Sequence, residues 1–123
     1  MNSFEELEAW KQARIIRNEI ASLVKQFPSE EKFKLTDQLL RSTRSVTANI
    51  AEGFGRFHYQ ENIQFCRQAR GSLTETLDHL ICASDCMYIE DATLTNFRLK
   101  INNNIKILNG YISYLKKKKE ELV

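Results

Sequence analysis

Helix breakers are scarce in this chain. Pro28 is the only proline among 123 residues, and the four glycines stand at positions 53, 55, 71 and 110. With so little to interrupt the backbone, long helices are the natural expectation. No stretch alternates apolar and polar residues for long enough to make a strand. No apolar run approaches the roughly 20 residues that cross a bilayer, so no membrane partner is expected. Histidine occurs only at His58 and His79, and neither sits in a Ser/His/Asp or Cys/His context, which leaves nucleophilic catalysis without its parts. Cys66, Cys82 and Cys86 are an odd number in plain spacing, which suits reduced thiols rather than a disulfide framework. The opening "MNSFEELEAW" is acidic where a secretory leader is basic and then apolar. The chain reads as cytoplasmic, with one domain over residues 1–123.

Apolar residues do recur at helical spacing. The first stripe runs Leu7, Trp10, Ala13, Ile16, Ile20, Leu23 or Val24, and Phe27; Pro28 stops it, and Ser29 offers a cap before the next segment. The second is Leu35, Leu39, Thr43, Val46, Ile50, Phe54 and Phe57. The third runs Tyr59, Ile63, Cys66, Leu73, Leu77, Leu80, Ser84 and Met87. After "IEDATL" comes the cleanest stripe: Leu94, Phe97, Ile101, Ile105, Leu108, Ile112 and Leu115. Four helices with short connections predict an all-α, antiparallel up-down-up-down four-helix bundle.

The second helix carries a feature that a lone bundle does not need. With its apolar stripe turned inward, the opposite face holds Arg41, Arg44, Ala48, Ala51 and Gly55, with Leu40 and Thr47 at the border. Beyond Arg44 these residues are small. Gly71 lies outward on the third helix in the same way, although a mid-helix glycine costs about 1 kcal/mol relative to alanine. Harmless alanines on a wet surface are one reading, and contact with a neighbouring subunit is the other. The glycines favour contact, which makes Leu40, Arg44, Thr47, Ala48, Ala51, Gly55 and Gly71 the expected oligomer interface.

Other constellations are weaker. The glycines of "TANIAEGFGR" fail as a dinucleotide loop, because His58 occupies the third glycine position and no strand precedes them. Close backbone approach or a helix end suits them better. Glu52 and Arg56 stand at i,i+4 with the acid first, the favourable order for an ion pair. His79, Cys82 and Cys86 share one helix face, but without a second His/Cys group they point to packing rather than zinc. No metal or other cofactor is expected, and no catalytic constellation is found.

Charge is sorted along the chain. Between Gln38 and Thr74 there are five arginines and two acids, whereas Glu75 to Asp91 holds five acids and no lysine or arginine. Net charge is only +2. Arg44 and Arg70 both lie thirteen residues from Phe57, so a hairpin turning there sets them level, with Arg41 and Arg67 within a turn. Such a cluster, together with the run Lys116, Lys117, Lys118 and Lys119, could contact phosphates of RNA or DNA. Solvated arginines and a favourably charged helix C-terminus are the plainer reading.

Three segments, "FEELEAWKQAR", "VTANIAEGFGR" and "FCRQARGSLTET", resemble in order and spacing the small bacterial four-helix bundle family encoded in intervening sequences of 23S ribosomal RNA genes, also labelled ribosomal-protein-like. The resemblance implies a bundle that assembles into a ring, typically a homopentamer. It also links the chain to accessory proteins of diversity-generating retroelements, which engage a reverse transcriptase and nucleic acid. It supplies no catalytic residues. The family's signature positions fall on Asn49, Glu52, Gly53, Gly55, Gly71, Ser72 and Glu75, with structural roles. Thr47 stands where the family often has proline, and His58 where it has a serine-type cap. A non-enzymatic ring that binds nucleic acid is the expectation, and an adaptor docking a larger protein is the alternative.

Overall fold

The computed structural model describes residues 2–122. Four helices are present: α1 (Glu8–Leu23), α2 (Leu35–Gly55), α3 (Tyr59–Asp85) and α4 (Asp91–Glu121), and there is no strand among the described residues. Short 3₁₀ turns occupy Phe4–Glu6, Val24–Gln26 and Ser29–Glu31. Each helix packs against two others around the bundle: α2 against α1 and α3, and α4 against α3 and α1, with α2–α3 the most extensive pair. The four stripes turn inward, and Ile20, Leu39, Ile50, Ile63, Leu73, Leu80, Ile101 and Leu108 are fully buried. Each such side chain contributes roughly 1.5–3 kcal/mol relative to leaving it in water.

Cross-helix hydrogen bonds set the register. Ser42 Oγ lies 2.9 Å from Thr76 Oγ1, and Ser72 Oγ donates to Ser45 Oγ at 3.0 Å, so residue numbers fall along α3 as they rise along α2. Only small side chains allow this approach. Farther along the same seam, a Cβ on Gly53 would meet both Phe65 Cβ and Asn62 Oδ1 at 2.8 Å. The seam closes on hydrogen there, and Gly53 has the close-approach role that its place beside the core stripe suggested.

The helix ends depart from the sequence reading. Ser29 starts a 3₁₀ turn and caps nothing; Glu31 Oε1 accepts from Leu35 N–H at 3.4 Å instead. No glycine adopts a positive φ. The left-handed position after α2 is Phe57, with φ 57°, and the one after α3 is Met87, with φ 64°. At the second end Met87 N–H bonds Ser84 O and Tyr88 N–H bonds Ala83 O, both at 2.9 Å, a Schellman closure formed without glycine. Phe57 and Met87, read as the ends of two core stripes, are 84% and 89% exposed. Beyond the helix, the periodicity that buries a residue no longer governs where it points.

The core also holds a polar group. Asn104 is fully buried and donates its Nδ2 to Ala9 O at 3.0 Å, tying α4 to α1. Its Oδ1 is the one buried side-chain polar atom among the described residues that lacks a partner.

Candidate assembly and nucleic-acid surfaces

The outer face of α2 is largely as the helical wheel places it. Arg44, Ala48 and Gly55 are exposed, while Leu40 and Ala51 are half-buried. A Cβ on Gly55 or on Gly71 would meet nothing within 4 Å. Thr47 is different. It is 5% exposed, accepts from Arg17 Nη1 at 3.2 Å and donates to Arg44 O at 3.1 Å, so α1 of the same chain already covers it. The wheel put Thr47 at the border of the outer face, and α1 packs from that side.

The arginines do not gather at one height. The serine pairs centre the hairpin one to two residues beyond Phe57, which sets Arg44 level with Leu73 or Thr74, about one helical turn from Arg70. Arg70 also turns away from α2 and donates from Nη1 to Asn109 Oδ1 on α4 at 2.7 Å. Arg41 is 3.7 Å from Asp37 on its own helix. Arg44 and Arg67 are exposed and make no ion pair among the described residues. The predicted Glu52–Arg56 pair forms at 2.9 Å, with both groups about half exposed, and Arg56 lies 5.2 Å over the Phe65 ring. At that exposure it is worth a few tenths of a kcal/mol.

The four lysines stand at the end of the bundle where α2 meets α3. Lys119 Nζ donates to Gln60 Oε1 in the first turn of α3, and Lys118 Nζ sits 5.8 Å from the Tyr114 ring centre. Lys116 and Lys117 are exposed. Beside them opens a cleft of about 610 Å³, walled by Phe54, Phe57, His58, Tyr59, Tyr111 and Tyr114. Tyr111 and Tyr114 stack with ring centres 6.2 Å apart and planes 14° from parallel. At the floor Asn62 Nδ2 donates to Tyr111 Oη at 3.0 Å, and Asn62 Oδ1 accepts from the Cys66 thiol at 3.5 Å. Burial raises the Tyr111 phenol pKa, partly opposed by the Asn62 hydrogen bond.

His79, Cys82 and Cys86 lie towards the other end. His79 Nε2 is 3.0 Å from Glu75 Oε2 one turn back, and the two thiols are exposed. No three His, Cys, Asp or Glu side chains converge on a metal-sized space among the described residues. Tyr88 donates to Glu31 Oε2 at 2.9 Å, and that hydrogen bond holds its phenol up at about 12. Burial pushes the Cys66 thiol to about 12 as well.

Sequence reasoning overlooked the aromatic cleft and its Asn62 floor. The signal was there in two pieces: Phe54, Phe57 and Tyr59 around the second connection, and Tyr111 with Tyr114 some fifty residues later. Only the helix order brings them together. No helix of the described residues is long and apolar enough to cross a membrane. Residues 5–110 match the family model described as 23S rRNA-intervening sequence protein. Among the curated proteins none matches the chain.

Proposed function

The chain belongs to the 23S rRNA-intervening sequence protein family, and on that premise we propose a non-enzymatic, antiparallel up-down-up-down bundle that works in the cytoplasm as a homo-oligomeric ring holding RNA or DNA on a basic surface. The antiparallel order is supported by three sets of pairs: Ser42–Thr76 and Ser45–Ser72 across α2–α3, Asn62–Tyr111 and Arg70–Asn109 across α3–α4, and Ala9–Asn104 and Glu19–Lys100 across α1–α4. The pentameric count rests on the family resemblance.

One observation carries the assembly. Gly55 and Gly71 face open space, as Gly110 does on α4, so nothing within the chain requires them; Gly55 differs in sharing its face with the small residues Ala48 and Ala51, and Gly71 weakens α3 by about 1 kcal/mol relative to alanine. A neighbouring backbone resting on α2 and α3 accounts for both. Light scattering at micromolar concentration tests this: a ring mass is expected, and a stable monomer overturns it. Gly55→Arg or Ala51→Arg should release smaller species that keep their helical circular dichroism. The nucleic-acid part predicts an affinity that falls steeply with salt and is reduced by Arg44→Glu or Arg67→Glu. No binding to structured RNA or duplex DNA at low salt overturns that part.

A second reading is an adaptor that docks a larger enzyme, such as a reverse transcriptase, without touching nucleic acid. It is favoured by Phe33, 84% exposed, and Met87, at the end of the bundle away from the lysines. Co-purification of such a partner with a ring that binds no nucleic acid is the outcome that selects it.

A further inference from the structure

The two ends of the bundle carry different chemistry. The hollow at the far end, about 770 Å³, includes Glu90 and Asp91 in its wall. The cleft at the near end has no acid in its lining, and Phe54, Phe57, Tyr59, Tyr111 and Tyr114 supply most of its wall beside Leu7, His58, Asn62 and Leu115. Around it stand Lys118 over Tyr114 and Lys119 on Gln60, and Lys117, three residues after Tyr114 on α4, is exposed on the same helix face. Of the acids close by in sequence, Glu121 and Glu52 are engaged, by Lys118 at 3.4 Å and by Arg56 at 2.9 Å, while Glu61 and Glu120 are exposed and make no ion pair among the described residues.

Phe57 is the unusual member. Its backbone sits at φ 57°, a conformation that disfavours bulky side chains, and its ring is 84% exposed. Glycine would relieve the backbone and cost no core packing. A large aromatic in that position, lining the same cleft as a stacked tyrosine pair, offers a ring face to a flat ligand. A lysine run beside aromatic faces is the arrangement that binds single-stranded nucleic acid: bases stack on the rings while phosphates meet the ammonium groups.

We propose that this cleft accepts an unstacked nucleobase of single-stranded RNA or DNA, between Phe57 and the Tyr111–Tyr114 pair, with the adjoining phosphates on Lys117, Lys118 and Lys119. The proposal rests on the nucleic-acid reading above and gives it a site apart from the α2 face used for assembly. It commits to stacking rather than base-specific readout, since Asn62 already spends its amide on Tyr111 and Cys66.

The test is fluorescence anisotropy at low salt with the full-length protein and three labelled oligomers of equal length: oligoriboadenylate, oligodeoxyadenylate and an abasic deoxy strand. The deoxyadenylate should bind at least about tenfold more tightly than the abasic strand, and the ribo and deoxy arms separate RNA from DNA preference. Phe57→Gly and Tyr114→Ala should each weaken the base-bearing strands about 5- to 100-fold and leave the abasic strand unchanged. Tyr114→Phe should restore binding. Phe57→Gly suits the backbone, so loss of the fold does not confuse the result. If the abasic strand binds as well as the others and neither variant matters, the cleft proposal falls while nucleic-acid binding stands. If no strand binds, and structured RNA does not either, both fall.

Discussion

Gly53 and Gly55 are two residues apart on α2 and live in opposite surroundings. Gly53 is buried, and a Cβ there would run into Phe65 and Asn62 at 2.8 Å. Gly55 is exposed and meets nothing within 4 Å. The subunit's own packing dictates the first glycine and is silent about the second. The same division separates the two faces of α2 more widely. Its inner seam runs through Ser42, Ser45 and Gly53 against α3, and its outer face through Ala48, Ala51 and Gly55 faces away from the core. Small residues on the seam are explained by one chain, and small residues outside are left to the proposed second copy.

The largest effect should come from filling the seam. Gly53→Val places carbon where Phe65 and Asn62 already are, and it should lower unfolding free energy by about 3 kcal/mol in urea titration. A loss below about 1 kcal/mol would mean that α2 and α3 can part without cost. Next is Asn62→Ala, which removes the hydrogen bonds to Tyr111 and Cys66 beside that glycine. A loss of about 2 kcal/mol is expected, with Tyr111→Phe removing only part of it.

The outer face should answer with the opposite sign. Gly71→Ala adds a methyl in open space and improves helix propensity, so the dissociated chain should gain about 1 kcal/mol. If that methyl meets a neighbour in the ring, the assembly weakens while the chain stabilises, which sedimentation and thermal melting read separately. Destabilisation of the isolated chain would contradict the open surroundings.

The effect that vanishes at neutral pH concerns thiols on the two sides. Burial lifts the Cys66 thiol from its ordinary 9.0 to about 12. Because the folded value lies above the unfolded one, its contribution is complete below pH 9.0 and is lost as pH rises towards about 12. Wild-type stability should therefore decline across that window, and Cys66→Ala should flatten part of the slope. At neutral pH, Ellman's reagent should modify exposed Cys82 and Cys86 quickly and Cys66 only as fast as the fold opens.

Much of the bundle was legible because burial at 3.6-residue spacing is a local signal. Leu39, Val46, Ile50, Ile63, Leu80, Ile101 and Leu108 all fall where periodicity places them. Polar residues inside were not legible. Asn62, Thr76 and Asn104 occupy core positions that hydropathy assigns to water, and each has a partner on another helix that helps make burial tolerable. The arginine cluster failed for a related reason. Counting from Phe57 misjudged the turn by one or two residues, enough to separate Arg44 from Arg70 by about one helical turn.

Sequence alone determined the four helices, the face each one buries and the small outer stripe of α2, because backbone propensity and apolar spacing act within a few residues. Tertiary structure alone decided which glycine is forced, that α1 covers Thr47, and that aromatics fifty residues apart share one cleft. Those facts depend on the register between helices, and register is set by contacts such as Ser45–Ser72 and Asn62–Tyr111 that no single segment contains.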